Sequence, residues 1–386
     1  MRVSALTAVV AATFLVGIVA CGDERPPPQV PPPPAPPTVA AAPLPPPVDP
    51  PPAPPKKTLA ELQMASGQAM GEGFASGDAK KVSALYAENA VMKMAGVPDV
   101  TGRAAIEKSM AEFFASFGKI KTGASRIFSK GDVLVTEWVM NATHSGEFMG
   151  IKATEKPVGW VGASVMWFND DGSIKEEHVY WNPAVIAPQV GASKEKNRGV
   201  PALPGPPVVV AAANSSEEEQ HTTVVQQLNR ALEAKNEKAW LNLLADDVSW
   251  DDITMPEAAK GKAGVQKYFK MFAVAFPDAK LETKHSWGVG NWVIEEGTYS
   301  GTNTGPLMGA KPTKKAMTLH EINFVELDKN SKVLRAVTYG NDLEMSAQLS
   351  AGKPASPAAP AKPAGPAKPA AAAKPSAPGS PPAPKK

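Results

Sequence analysis

The octapeptide Met149-Gly150-Ile151-Lys152-Ala153-Thr154-Glu155-Lys156 returns as Met308-Gly309-Ala310-Lys311-Pro312-Thr313-Lys314-Lys315, 159 positions later. The same offset extends well beyond it. Sliding 74–190 onto 233–349 without a gap pairs Leu85 with Leu244, Gly102 with Gly261, Phe113 with Phe272 and Phe117 with Phe276. It also pairs Glu137 with Glu296, Gly146 with Gly305, Tyr180 with Tyr339 and Asn182 with Asn341. A constant offset around a clustered motif marks an internal duplication. The chain is therefore expected to hold two copies of one unit, and each position in one copy has a counterpart in the other.

Proline confines where those copies can lie. Of 41 prolines, eighteen crowd into 26–55 and eleven into 350–386. Roughly 290 residues remain between these segments, enough for two cores of ordinary size. The formal charge is +2, but 350–386 carries six lysines and no acid, so the rest is mildly acidic. No basic stripe runs through it, which argues against nucleic acid as a partner. The single cysteine, Cys21, excludes an intrachain disulfide.

Residues 1–20 set Arg2 before an apolar run from Val3 to Ala20. The run is too short for a comfortable membrane span and reads as a secretory signal. It ends in Ile18-Val19-Ala20-Cys21-Gly22, which resembles a bacterial lipobox. That resemblance implies cleavage before Cys21 and lipidation of it. The expected location is the cell envelope, lipid-anchored after export across the inner membrane. Gly22 gives no inner-membrane retention signal, so an outer membrane is favoured where one exists. Residues 21–57 then form the lipidated cysteine and a disordered Pro-rich stalk. At about 3.1 Å per residue, its polyproline II run spans up to roughly 90 Å. The Ala/Pro/Lys-rich tail, 350–386, cannot build a core and offers its lysines to an anionic cell wall.

The first unit is placed at 58–190. Leu59, Leu62, Ala69, Met70 and Phe74 share one helix face, Gly77-Asp78 restarts a short helix, and Ile106, Met110, Phe113, Phe114 and Phe117 line a third. Strands are predicted near 119–128, 132–142, 157–169 and 173–182, with Asn169-Asp170-Asp171-Gly172 turning between the last two. A short apolar segment, 183–190, closes the unit, and 191–214 is read as a linker. The second unit, 215–349, repeats the order, with strands near 279–287, 291–302, 316–327 and 332–341. Helices first and an antiparallel sheet after them make the fold class α+β.

Three stretches carry a family resemblance. They are Leu244-Ala245-Asp246-Asp247-Val248, Gly261-Lys262-Ala263 and the run 301–315, G-T-N-T-G-P-L-M-G-A-K-P-T-K-K, whose altered copy is 141–156. With the order of elements, they are similar to the nuclear transport factor 2-like superfamily and more closely resemble its SnoaL-like polyketide cyclases. The resemblance implies two tandem cone-shaped barrels, each curling a sheet around helices to enclose an apolar pocket. Relatives of this fold pair through their sheets, so an intrachain pseudo-dimer of the two domains is expected. The octapeptide reads as a hairpin connection, with Gly150 and Gly309 supplying its tight backbone. Its Lys152, Lys156, Lys311 and Lys315 are read as solvated turn residues or as holders of an anionic group.

An enzyme of this superfamily needs a partly desolvated base and donors for a developing enolate. By resemblance to the ketosteroid isomerases, the base falls at Asp252, beyond Val248-Ser249-Trp250 and beside Asp251. The counterpart in the first copy is Lys93, which cannot be that base. The isomerase's tyrosine donor falls at Leu228 and its protonated-acid donor at about Asn323. The SnoaL-like cyclases take an aspartate from the end of the last strand, where this chain has Asn182, after Tyr180 and Trp181, and Asn341, after Tyr339. Asp342 is next, but alternation along a strand turns it away. The candidate pocket is thus Trp250, Asp251, Asp252, Asn323, Tyr339 and Asn341, with Tyr180 and Asn182 in the first copy.

The histidines, His144, His178, His285 and His320, show no metal-ligand spacing. No P-loop or dinucleotide glycine pattern is present, so neither a metal nor a cofactor is expected. Two readings follow. The first is an envelope lipoprotein whose domains bind a small apolar ligand, or act in assembly, without catalysis. The alternative is a cyclase, isomerase or hydrolase working in the second domain alone, with Asp252 as general base. A buried Asp252 beside a donor favours the alternative, and a solvent-facing one removes it.

Overall fold

The computed structural model describes residues 57–350, so Cys21, the Pro-rich stretch and the lysine-bearing tail lie outside the described residues. The first domain runs α1 (Leu59–Ser76), α2 (Ala79–Ser83), β1 (Tyr86–Met94), β2 (Val100–Thr101), α3 (Arg103–Ser116), β3 (Phe117–Lys130), β4 (Val133–His144), β5 (Pro157–Phe168), β6 (Ile174–Trp181) and α4 (Ile186–Val190). After it comes β7 (Val208–Ala211). The second domain runs α5 (Ser216–Glu233), α6 (Glu237–Asn242), β8 (Leu244–Asp252), β9 (Ala259–Lys260), α7 (Gly261–Ala275), β10 (Lys280–Val289), β11 (Trp292–Thr302), β12 (Ala316–Leu327), β13 (Val333–Tyr339) and α8 (Asp342–Leu349). The two α+β domains have the expected order of elements, and the four long strands of each fall near their predicted positions.

Local chemistry explains the repeated starts. Thr58 accepts the Glu61 N–H at 3.3 Å while the Glu61 carboxylate accepts the Thr58 N–H at 2.7 Å, and Ser215 with Glu218 makes the same reciprocal cap on α5. Such a pair satisfies two N–H groups that a helix start leaves open. The octapeptide is the β4–β5 hairpin tip in domain 1 and the β11–β12 tip in domain 2. Met149 and Gly150 sit at φ 52° and 78°, and Met308 and Gly309 at 48° and 83°. Two consecutive positive φ values close the mirror-image turn that suits strand twist. The motif's final lysines reach back to the last helices: Lys156 donates to the Val190 carbonyl at 2.7 Å, and Lys315 to that of Ser350.

The first sheet is ordered β2-β1-β6-β5-β4-β3-β7 and the second β10-β11-β12-β13-β8-β9. Strand β7 lies inside the stretch read as a linker. Its Val208-Val209-Val210 pairs in parallel with Arg126–Phe128 on the open edge of β3. A β-branched run beside an unpaired edge gains ladder hydrogen bonds that a loose linker forgoes.

One part of the repeat shifts. Asp252 pairs with Thr338 across β8 and β13, but Thr338's counterpart Val179 pairs with Met94, not Lys93. Pairing with the short strands agrees: Ser249 meets Lys260, while Val91 meets Thr101. The loop after β8 is one residue longer than the loop after β1, so the gap-free offset fails over the first strand. Met94 therefore stands in domain 1 where Asp252 stands in domain 2, and Lys93 matches Asp251.

Each sheet curls over its own helices on one face and packs on the other sheet with its opposite face. Val293 and Val325 belong to the core of domain 2, while their strand neighbours Trp292, Ile294 and Phe324 join Phe128, Val135 and Val165 of domain 1 in a shared core. Both faces of these strands are apolar because both are covered. Polar contacts flank that core in matched pairs: Tyr180 donates to Glu296, and Tyr339 donates to Glu137 at 2.8 Å.

Candidate functional site

The cone of domain 2 is hollow. A cavity of ≈ 90 Å³ lies between α5 and α7 on one side and β8, β11, β12 and β13 on the other. Leu228, Trp240, Phe269, Phe272 and Val325 give it apolar walls.

Asp252 ends β8 and lines this cavity at 5% exposure. Its Oδ1 accepts the Thr254 N–H at 2.9 Å and the Thr254 hydroxyl at 2.7 Å, and its Oδ2 accepts the Tyr268 hydroxyl at 2.9 Å. Burial pushes its carboxyl up despite these three bonds. Beside it runs a line of donors: Trp250 Nε1 to the Thr338 hydroxyl at 3.2 Å, that hydroxyl to Asn323 Oδ1 at 2.6 Å, and Asn323 Nδ2 to Glu321 Oε1 at 3.0 Å. Glu321 is pushed up to about 7, first by burial and further by the charges of Asp252 and Glu295, with the Asn323 bond opposing.

Two further acids complete the lining. Glu295 sits opposite Asn323 on β11, accepts Asn229 Nδ2 at 2.7 Å and the Ser286 hydroxyl at 3.2 Å, and is raised by burial. Asp342 is pushed up to about 6 by burial and by the charge of Asp252, although Asn182 Nδ2 donates to it at 2.7 Å. Burial raises all four carboxyls of this lining, and groups perturbed in this way in a cleft are candidates for acid–base work.

Of the residues expected at the site, Asp252, Trp250, Asn323 and Asn341 line the cavity. Four do not. Asp251 turns outward by strand alternation, and Arg198 holds it at 2.5 Å. Tyr180 and Tyr339 lie on the outer sheet faces, in the core shared by the domains. Asn182 caps the turn after β6, accepting the Ala184 N–H at 3.2 Å, and borders a separate recess with Trp160, Arg198 and Ile253. Asn341 also caps, taking the Leu343 N–H at 2.9 Å, while its Nδ2 reaches the Ala95 carbonyl of domain 1. The expectation that Asp342 faces away fails because β13 ends at Tyr339. Asp342 opens α8 and turns inward.

Tyr268, Glu295, Tyr299, Glu321 and Asp342 were not anticipated. The isomerase-like tyrosine position is Leu228, but hydroxyls come instead from Tyr268 on α7 and Tyr299 on β11. Strand periodicity held a signal for two of the acids. Glu321 and Asn323 share the β12 face of Val325, and Glu295 shares the β11 face of Val293. Polar residues on an inward face call for an explanation.

The profile of the family described as SnoaL-like polyketide cyclase matches residues 66–190 and 222–349. The chain belongs to the SnoaL-like polyketide cyclase family. Similar solved structures include a protein of Jannaschia sp. CCS1 described as a SnoaL-like polyketide cyclase, 15% identical, covering 36% of this chain and 98% of its own, with a TM-score of 0.34. IdmH of Streptomyces antibioticus, described as a polyketide cyclase, is 25% identical and covers 33% of this chain and 98% of its own, with a TM-score of 0.31. AclR of Streptomyces galilaeus, described as a hydroxylase, is 18% identical and covers 34% and 85%, with a TM-score of 0.31. No curated protein matches the chain.

The first SnoaL-like domain lacks the polar set. Met94 stands for Asp252, and its sulfur accepts Trp181 Nε1 at 3.3 Å. Thr136, Gly162 and Ser164 stand for Glu295, Glu321 and Asn323. Opposite Gly162 lies Trp138, whose ring atoms come within 2.3 Å of where a Cβ would be built, while domain 2 sets Gly297 opposite Glu321. A ring in one copy occupies the side that a carboxylate occupies in the other.

Proposed function

We propose that domain 2 is an acid–base catalyst for a small, largely apolar carbonyl compound, of the isomerase or cyclase type, and that domain 1 is its non-catalytic partner. The observation that supports this best is Asp252, buried in the cavity wall beside the Tyr268 hydroxyl with Glu321 across from it. In this reading the Asp252 carboxylate removes a proton from carbon adjacent to the carbonyl. Neutral Glu321, available because its pKa is near 7, donates to the carbonyl oxygen as it gains charge. Return of the proton to a different carbon, or attack of the enol carbon on a second carbonyl, completes the reaction.

Turnover of simple enolisable ketones by wild type, Asp252→Asn and Glu321→Gln tests it. Loss of a general base lowers the rate by roughly 10²–10⁴-fold. Equal rates for wild type and Asp252→Asn overturn the reading. A ligand-binding role without catalysis would then follow, favoured by one feature: Thr254 and Tyr268 already occupy both oxygens of Asp252.

The place of this activity is also a proposal, resting on the sequence around Cys21. In it the lipidated chain is held at the cell envelope, with the lysine tail against an anionic wall. Cys21→Ser is expected to move the protein from the membrane fraction to the aqueous one, and unchanged partition would overturn the anchor.

A further inference from the structure

The cavity of domain 2 is lined by acids and rings, with no cationic side chain among its described lining residues. Asp252, Glu295, Glu321 and Asp342 border it, and among its described lining residues there is no lysine, arginine or histidine. Arg198, whose charge reaches Asp252, is engaged outside by Asp251 at 2.5 Å and by the Asp252 and Met255 carbonyls at 2.7 and 2.8 Å. Carboxylates gathered under apolar walls repel one another, and that repulsion helps raise Glu321 and Asp342.

Tyr299 is an independent sign of a ligand. It lines the same cavity and is 7% exposed, and no hydrogen bond among the described residues reaches its hydroxyl, which is open to the cavity. A hydroxyl left open in a cavity wall, able to donate and to accept, is available to a bound molecule. Trp240, Trp250 and Phe272 add rings to the wall, and aromatic rings favour a cation over a neutral group of the same size.

Resting on the acid–base reading above, we infer that the substrate of this site carries a protonated amine on an apolar body about the size of one or two rings. Glu295 is the counter-charge assigned to the ammonium. It is buried, its two donors Asn229 and Ser286 are neutral, and no cation faces it in the cavity. Tyr299 offers its free hydroxyl to a polar substituent elsewhere on the same molecule. Asp252, held by Tyr268 and Thr254, stays at the carbon to be deprotonated.

Calorimetric titration of the full chain with 2-phenylethylamine, benzyltrimethylammonium and 2-phenylethanol tests the inference. Both cations are expected to bind at least tenfold more tightly than the alcohol, and Glu295→Gln to remove most of that preference while circular dichroism stays native. If Glu295→Gln does not fold, the comparison among the three probes on wild type still decides. Binding of the alcohol as tight as that of the amines, or of none of the three, overturns the inference. The catalytic reading fails separately. Cation preference without Asp252-dependent ketone turnover removes catalysis and keeps the charge class, and turnover without cation preference does the reverse.

Discussion

The two domains share one fold and differ in what fills it. In domain 1 the space under the sheet is closed by rings: Trp160 lies 5.1 Å from Phe117, 6.1 Å from Phe113 and 5.0 Å from Trp181, centroid to centroid. In domain 2 the counterpart of Trp160 is Leu319, which borders the cavity, and four acids occupy its lining. A duplicated fold can thus fill one copy with packing and leave the other hollow. Close packing stabilises, whereas a cavity lined with carboxyls raised by burial is expected to cost stability.

The most severe way to break the contrast is to give domain 2 the ring of domain 1. Leu319→Trp should fill the cavity and abolish ligand binding and turnover, a loss above about 100-fold, while the melting temperature holds or rises as cavity filling offsets the bulkier ring. Full activity in this variant would place the site elsewhere. The converse change, Trp160→Leu, opens domain 1 without adding any acid. It should cost about 2–3 kcal/mol, read from denaturant unfolding, and confer neither turnover nor ligand binding on domain 1. A gain of activity there would show that space alone, not the acid set, separates the copies.

How much of this was legible follows from the physics of strands. The octapeptide's glycines and the Asn169–Gly172 turn fixed the hairpins, because turn geometry is local. The place of Asp252 in the cavity wall was legible through family position. Tyr180 and Tyr339 were misplaced because their strands are apolar on both faces, and alternation cannot tell an inward face from one covered by a second domain. Lys93 was misaligned with Asp252 because one residue added in a loop leaves no trace in a repeat anchored at Gly102 and Gly261. The asparagines after the last strands suggested a lost acid, yet they cap helices, a role set where the strand stops.

The same pair of domains differs at the two ends of their shared interface. Glu137 is held by Arg126 and Tyr339, whereas Glu296 is held by His178, Tyr180 and His285. Burial works to lower His178, but the bond and charge of Glu296 outweigh it, so its pKa ends above the usual 6.5. Burial likewise works to raise Glu296, and the same partners outweigh it, leaving its pKa below the usual 4.5. The contribution of His178 is therefore whole below pH 6.5 and is lost as pH rises through its folded pKa. That of Glu296 is whole above pH 4.5 and is lost as pH falls through its own. His178→Gln should cost roughly 2 kcal/mol between those limits, where the hydrogen bonds are charge-assisted. The cost should shrink as pH climbs beyond 6.5. Thermal melts of wild type and variant across pH 4–9 would show this, and a pH-independent difference would contradict it.

The smallest expected effect separates the two ends most cleanly. Tyr180→Phe and Tyr339→Phe each delete one hydroxyl donated to a buried carboxylate across the interface, at equivalent positions of the repeat. Each should cost about 1.5 kcal/mol, the range of a bond to a charged group. Their pH responses should differ. Glu137 keeps Arg126, which stays charged throughout, so the Tyr339→Phe cost should be level from neutral to alkaline pH. Glu296 keeps His178 and His285, and once His178 has lost its charge the Tyr180 hydroxyl carries a larger share of the carboxylate's stabilisation. The Tyr180→Phe cost should grow there, because a buried carboxylate with fewer donors is more expensive to leave unsatisfied. Identical pH profiles for the two variants would mean that the histidines do not govern the Glu296 end, and that the interface is electrostatically symmetric after all.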